Sequence, residues 1–483
     1  MALVTIVGLG PGDARLLTRE AWEILSAAPV VYARTAKHPT LAGLPKHVQI
    51  VSFDDVYEAV RSLDKVYATI AERILQIASE SENVIYAVPG SPAVAEETVN
   101  LIRAAGVPMR TVHGLSFVEP VLDILGRDAL PGTHIADAIE IAARYHPPFN
   151  TGRPVLVAQL YSRALASDVK LTLVNAYPDD HRVALVHSAG TDDAAVEWLP
   201  LRAVDHSDLI SHLTALYVPP LVDSFDFVAL SETVAHLRAP DGCPWDREQS
   251  HASLRTNLLE ETYEVLTAID AEDTDALAEE LGDLLLQIVL QTQIAVDDSE
   301  FHMADVTNGI NTKLIRRHPH VFGEVSVDGV DAVIHNWEVL KAQERSESGD
   351  VMHRGVLSGV PRAMPALAQA EAYQARAARI GFDWPSISGV TAKVHEEIAE
   401  VESAQTPERL QAEMGDLLFA VVNWARWLGV EPESALREAN ARFRRRFEWI
   451  EARVAAREGK MSAMTLEELE ELWEAAKAAL DLE

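Results

Sequence analysis

Two stretches of this chain hold carboxylates at spacings that suit a bound cation. Glu260, Glu261 and Glu264 fall on one amphipathic segment, and Glu280 and Asp283 fall on the next. Residues three and four apart share a helical face, so each segment presents its acids as a patch. Packed as a helix pair, the segments bring four or five carboxylates to one place, which is costly unless a divalent cation sits between them. A donor set without His or Cys selects a hard ion, Mg2+ or Mn2+, of the kind commonly bound with substrate phosphates. Lys313 and Arg317, four apart on one helical face, could hold the phosphate tail. Trp337 could offer a base a stacking platform; the alternative is that it packs a helix pair.

Metal, phosphate clamp and a spare carboxylate together suit hydrolysis of a nucleoside triphosphate. The ion would polarise phosphoryl oxygens and lower the pKa of an attacking water, whose proton a carboxylate takes. No Walker glycine loop occurs, so a P-loop ATPase fits poorly. The residues alone leave open which phosphorus is attacked.

The elements that must position these acids are legible from periodicity. Leu258, Leu259, Val265, Leu266, Leu281, Leu284, Leu285, Ile288 and Val289 recur at helical spacing and supply the packing face. Between them, Asp270, Asp273, Thr274 and Asp275 suggest an N-cap for the second helix. The whole arrangement then returns. Glu396, Glu397 and Glu400 repeat the first acids 136 residues on (261 to 397), and Glu413 with Asp416 repeat the second 133 residues on (283 to 416). The inter-helix loop is therefore expected to be three residues shorter in the second copy. Arg442 and Arg446 echo Lys313 and Arg317, and Trp473-Glu474-x-x-Lys477 echoes Trp337-Glu338-x-x-Lys341. Echoes in the same order argue for a duplicated module, packed about a pseudo-twofold axis.

Ahead of the helical part, Leu3 to Val7 run into the turn Gly8 to Asp13 (GLGPGD), and a helical pattern follows. Gly8, Gly10 and Gly12 permit close backbone approach to a nucleotide-like ligand. As a dinucleotide fingerprint the turn fails, because the third glycine comes early and Pro11 removes an amide donor. Strand signals at 30–32, 84–88, 109–112 and 154–158 alternate with helical ones, which gives an α/β domain with a largely parallel sheet. Two of those strands enter the turns Pro89-Gly90-Ser91-Pro92 and His113-Gly114-Leu115-Ser116. Tyr217 to Leu221 reads as a linker because of its two prolines, with a helix at 222–238 after it and a second break at 347–350 and 355–361.

A length of 483 residues allows two to four domains, and 48% hydrophobic with 24% charged content is that of a soluble globular protein. The net charge of −33 at pH 7 argues against nucleic-acid polymers and acidic membranes as partners, while small phosphorylated ligands stay open. The single Cys243 makes no internal disulfide, and a cytoplasmic setting is expected, with neither a signal peptide nor a membrane span. Cys243 is read as structural, His318 and His320 around Pro319 as a helix-ending turn, and Arg444-Arg445-Arg446 as too small a patch for nucleic acid. Acid runs on helices are most often solvated faces; here the fixed apolar frame, basic pair and tryptophan weigh against that reading.

Two families share these motifs. Residues 1–220 resemble the tetrapyrrole methylases in the GLGPGD turn and the LLT that follows; Gly90-Ser91-Pro92 departs by placing serine where an aspartate is usual. That resemblance implies an S-adenosylmethionine-type pocket involving Gly8, Gly10, Gly12, Asp13 and Gly90. Residues 222–346 and 359–483 resemble all-α MazG-type nucleoside triphosphate pyrophosphohydrolases, through CPWDREQ at 243–249, LLEETYEV at 258–265, EELGDLLLQ at 279–287, KLIRRHPHVFG at 313–323, RIGFDWP at 379–385 and EMGDLLFAVVN at 413–423. A homodimer is expected, and the family implies Mg2+-dependent cleavage between the α and β phosphates. Its metal ligands would be Glu261, Glu264, Glu280 and Asp283 in one copy and Glu397, Glu400, Glu413 and Asp416 in the other, with Glu260 and Glu396 as supporting acids or bases. Three readings follow: a pyrophosphohydrolase, a bifunctional protein that also methylates a small molecule, and a non-catalytic metal-binding scaffold.

Overall fold

The computed structural model describes residues 3–60, 62–130, 132–221, 226–330, 332–333, 336–337, 339–340, 344, 355–456 and 460–480. Glu338 and Lys341 of the repeat and the expected break at 347–350 lie outside the described residues. The chain forms two compact units, Met1–Arg247 and Glu248–Glu483. Both acid-bearing copies lie in the second unit, whereas residues 226–247 belong to the first. Among the described residues no helix is long and apolar enough to cross a membrane.

In the first unit, β1 (Leu3–Gly8), β2 (Val30–Ala33), β3 (Gln49–Ser52), β4 (Asn83–Val88) and β5 (Met109–Val112) form a sheet in the order β3-β2-β4-β1-β5. All its pairings are parallel. Such a sheet is covered on both faces, and its apolar runs follow from that. Successive side chains of β1 enter different cores: Val4 and Ile6 pack with Ile70, Ile74 and Ile102, and Val7 packs with Leu25 and Val31. The covering helices include α1 (Arg19–Ala27), α2 (Asp54–Ala59), α3 (Leu63–Glu80) and α4 (Glu97–Ala104).

A second sheet was not expected. It holds β6 (His134–Asp137), β7 (Val155–Ala158), β8 (Arg182–His187), β9 (Ala195–Pro200) and β10 (Thr214–Val218) in the order β6-β7-β10-β8-β9. Only β6 and β7 are parallel; the other pairings are antiparallel. Helices α5 (Val118–Ile124), α6 (Ala138–Ala142) and α7 (Arg163–Leu173) accompany it. The expected linker at Tyr217 is corrected here, since Tyr217 and Val218 end a central, fully buried strand. Pro219 and Pro220 cannot extend the ladder, so they terminate the strand rather than replace it. Helix α8 runs Phe227–Arg238, capped by Asp226, whose carboxylate accepts from the Ala229 amide at 2.9 Å; residues 222–225 of the longer helix expected there lie outside the described residues.

After α9 (Pro244–Glu248), the second unit is helical. Its first copy holds α10 (Arg255–Asp270), α11 (Thr274–Asp297), α12 (Met303–Arg317) and the short α13 (Pro319–Phe322). The second holds α14 (Ala366–Arg379), α15 (Ile387–Ser403), α16 (Pro407–Trp427), α17 (Pro432–Ala455) and α18 (Leu466–Leu480). Helices α10 and α11 pack along each other, as do α15 and α16. Asp273 caps α11 by accepting from Asp275 and Ala276, and Thr406 caps α16 by accepting from Arg409. The linkers, 271–273 and 404–406, are equally long, which corrects the expected loop deletion. The missing residues come from the helix: α10 continues to Asp270 beyond Glu264, while α15 stops at Ser403 soon after Glu400. Of the expected packing face, Val265 and Val289 are buried, but Leu259, Leu281 and Ile288 are exposed because the hairpin partner covers only one side of each helix.

Candidate functional site

Helices α10 and α11 carry their acids on facing turns, and Glu261, Glu264 and Glu280 converge with one carboxylate oxygen each, all within 4.8 Å of one another. In the second copy Glu397, Glu413 and Asp416 converge by the same criterion. Each trio leaves out one expected ligand, Asp283 in the first copy and Glu400 in the second. Both stay electrostatically near. The Glu261 carboxyl is pushed up, first by burial and then by Asp283, Glu264 and Glu280; the Glu280 carboxyl is pushed up by burial, then by Glu264 and Asp283. Glu400 is raised by burial and then by Glu413 and Glu397. Like charges so placed disfavour joint ionisation, and a cation relieves them.

The donors fit a hard divalent ion. They are all oxygens, and Glu397, only 4% exposed, keeps one buried oxygen without any hydrogen-bond partner. Its other oxygen meets Lys393 Nζ at 2.8 Å, and the same ammonium reaches Glu396 at 2.8 Å. Arg409 Nε lies 3.3 Å from Glu413. Neither cation was singled out in the sequence. A signal was there, since Lys393 stands four residues before Glu397 and Arg409 four before Glu413, on the same helical faces. The matching first-copy positions are Asn257 and Ala276. Glu260 is exposed and outside the trio, and Glu396 is exposed and held by Lys393.

The basic and aromatic residues pair with each other. The Arg317 guanidinium lies over the Trp337 ring at 5.2 Å, and Arg446 lies over Trp473 at 5.6 Å. Trp473 also packs against Phe443 and the Ile450–Val454–Ala476 core, so packing is a large part of its role. Lys313 is exposed, and among the described residues Arg442 pairs with Glu438 on its own helix at 3.5 Å. Arg317 is engaged a second time, by Glu344, which also meets Arg316. The two guanidiniums, Arg317 first, hold the Glu344 carboxyl down at about 2. Glu344 belongs to no acid motif, so spacing gave no hint of it. His318 sits where α12 ends, its Nδ1 2.7 Å from the Leu314 carbonyl, as a helix-ending turn places it. Cys243 is a half-buried free thiol.

In the first unit the turns after β1, β4 and β5 interlock. Gly10 and Gly90 exchange backbone hydrogen bonds of 3.1 and 2.9 Å. A Cβ on Gly114 would stand 2.4 Å from the Gly90 carbonyl oxygen, and one on Gly8 would meet Gly90 and Gly114 backbone at 2.7 Å. A Cβ on Gly12 would strike Thr191. Gly8 and Gly12 are therefore required by protein packing, and Asp13 is used in capping a short helix and pairing with Arg15. Gly10 and Gly90 do line a cavity of about 1110 Å³ that reaches both sheets and lies at the carboxyl ends of β1 and β4, where open α/β sheets bind ligands. Its wall also holds Arg34, 2.6 Å from the buried Glu96, and His38, whose pKa burial lowers to about 4. These three were not read from the sequence, because nothing in their local spacing marks them.

Comparison with known proteins follows the same division. The MazG nucleotide pyrophosphohydrolase domain matches residues 249–322, and the tetrapyrrole (corrin/porphyrin) methylases match residues 3–205. The chain is 39% identical to the uncharacterized protein YabN of Bacillus subtilis (strain 168), over 98% of each. It is 45% identical to the nucleoside triphosphate pyrophosphohydrolase of Escherichia coli (strain K12), over 50% of this chain and 93% of that one. Among solved structures, uroporphyrin-III-C-methyltransferase from Thermus thermophilus is 22% identical, covering 45% of this chain and 94% of that one, with a TM-score of 0.37.

Proposed function

Because the chain belongs to the MazG nucleotide pyrophosphohydrolase family, with a tetrapyrrole methylase domain joined ahead of its helical copies, we propose that it hydrolyses nucleoside triphosphates to the monophosphate and pyrophosphate. The observation that carries this reading is the convergence of three carboxylates in each helix pair. Glu261, Glu264 and Glu280, with Asp283 beside them, would hold Mg2+ or Mn2+ in the first copy; Glu397, Glu413 and Asp416, with Glu400 beside them, would do so in the second. When bound, such an ion supplies Lewis acidity toward phosphoryl oxygens. Lys313 and Arg317, or Arg442 and Arg446, draw in the phosphate tail by charge. Trp337 and Trp473, already stacked with arginine, border the base. Glu260 or Glu396 takes the proton of a water that attacks the α phosphorus, so that the bond from the α phosphorus to the bridging oxygen breaks and pyrophosphate leaves; the choice of the α phosphorus is what the family likeness implies.

The test is pyrophosphate release from a panel of triphosphates with and without Mg2+, in the wild type and in Glu264→Gln and Glu400→Gln. Orthophosphate alone, or no product with any nucleotide, defeats the reading. Exposed Leu418, Phe419, Val421 and Trp424 on α16 support a homodimer, which light scattering measures.

One observation favours a second activity. The cavity bounded by Gly10 and Gly90 suits an S-adenosylmethionine-type ligand, though Ser91 replaces the carboxylate of the methylase pattern. Calorimetry with S-adenosylmethionine decides it: heat lost on Gly90→Val supports binding, and no heat in the wild type ends the methylation reading.

A further inference from the structure

We propose that Arg34 and His38 form a subsite in the cavity of the first unit for an uncharged planar ligand group that both donates and accepts hydrogen bonds, an amide or the edge of a lactam ring. Such a subsite needs neither triphosphate hydrolysis nor methyl transfer. Both side chains line the cavity of about 1110 Å³, and each carries a buried atom, Arg34 Nε and His38 Nδ1, without a hydrogen-bond partner. His38 is only 5% exposed. Buried polar atoms are nearly always paired in folded proteins, so two orphans in one wall mark a place where a ligand completes the bonding. The wall is also strained: of the five non-glycine residues with positive φ among those described, Ala95 (55°) and Gln159 (62°) belong to it. Tyr57 and Tyr67 stand in the same wall, the Tyr67 ring centre 6.0 Å from the Arg34 guanidinium carbon, and they offer flat flanks to a planar group.

Charge decides between an uncharged group and an anion. Arg34 Nη1 donates to Glu96 Oε2 at 2.6 Å and Thr98 Oγ1 donates to Glu96 Oε1 at 2.6 Å, so both oxygens accept, as in the ionised form. The single Thr98 proton is thereby used, and the Tyr86 hydroxyl, 3.0 Å away, has to donate to Thr98. This closed chain of buried groups fixes the guanidinium and already compensates its charge. The other charged residues in the wall are Lys37, Asp54 and Glu58. Counting Glu96 behind Arg34, two positive charges meet three negative ones. Burial pushes His38 down to about 4 and also lowers His212 in the same wall, so both imidazoles are neutral near pH 7. A neutral imidazole offers one donor and one acceptor, and Arg34 offers donors alone. An amide matches that set, whereas a carboxylate brings a charge that the wall repels.

Benzamide and benzoate, which share a shape and differ in charge, are the probes, titrated against the full chain by ligand-observed NMR at neutral pH. Benzamide is expected to bind more tightly than benzoate by about tenfold, and His38→Leu to weaken benzamide by about tenfold, the factor for one hydrogen bond of ordinary strength. Glu96→Gln, which removes the charge opposite Arg34, should reverse the preference in favour of benzoate. Saturating S-adenosylmethionine should leave benzamide binding unchanged. Equal or tighter binding of benzoate by the wild type overturns the proposal, as does no binding of benzamide. Unchanged benzamide affinity in folded His38→Leu, or an unchanged preference in folded Glu96→Gln, overturns it too. Displacement of benzamide by S-adenosylmethionine does the same, by placing both ligands in one site. The wild-type comparison needs no variant, so it decides even where either substitution prevents folding.

Discussion

In the first copy Glu261, Glu264 and Glu280 meet beside Asn257 and Ala276; in the second, Lys393 and Arg409 stand at those positions and contact Glu396, Glu397 and Glu413. Around the basic residues the copies also differ in sequence: Arg316 and Arg317 of the first copy pair with Glu344, and the residue at the position matching Glu344 in the second copy is Leu480. Duplicated modules have thus kept one acid frame and redistributed the charge around it. A carboxylate trio without a nearby ammonium depends on an added ion for compensation. One with a built-in ammonium is partly compensated beforehand, and the same cations are available to an anionic ligand.

The largest effect that would sharpen this comparison is on turnover. Glu264→Gln with Glu400→Gln should lower pyrophosphate release by more than about 100-fold, since changes even one shell further from a metal cost ~10–100-fold. The single variants apportion that loss between the copies, and equal full activity in all three variants breaks the catalytic reading altogether. Next comes stability. Lys393→Met strands the buried Glu397 without its donor and should cost about 1–3 kcal/mol in urea unfolding without divalent ions. Mg2+ should restore part of that loss. The matching Asn257→Met should change stability by less than ~0.5 kcal/mol, as surface changes do.

The smallest effect is in pH dependence, and its sign differs between groups. Glu344 is depressed in the folded state, so its pair contributes fully above the ordinary carboxylate pKa and is lost as pH falls toward about 2. Glu261 and Glu280 are raised, so the metal-free fold loses stability as pH climbs through the range just above the ordinary carboxylate value. Thermal melts across mildly acidic pH should show that decline in the wild type. Glu261→Gln or added Mg2+ should flatten it; a decline of the same size in Glu261→Gln would place its origin elsewhere.

How much could be read in advance depended on whether a signal was local. The acid frame, its duplication and the Asp273 cap are written in short periodic spacings, and each lies within one helix or one turn. The second sheet was missed because β10 is a five-residue strand (TALYV) directly before two prolines, and its partners β7 and β8 are distant in sequence. Lys393 and Arg409 stand at i,i+4 spacing from Glu397 and Glu413, a local signal, but spacing alone does not tell such a pair from an ordinary solvated one. Glu344 and the Arg34–Glu96 pair needed coordinates, since they join residues 27 and 62 positions apart across different elements. Gly8 and Gly12 were read as making room for a ligand, and they make room for other backbone and side chains.

That last arrangement also bears on how the first unit comes apart. The Gly10–Gly90 bridge ties together turns separated by some eighty residues of chain, and it can close only once β4 has slotted in beside β1. Contacts of such long range carry the loop-closure cost and form late on the way to the native state. A bulky residue at Gly114, whose Cβ would press on the Gly90 carbonyl, would therefore leave the rate of folding nearly unchanged and shorten the lifetime of the folded domain. The glycine turns act, in kinetic terms, as a latch on the finished fold.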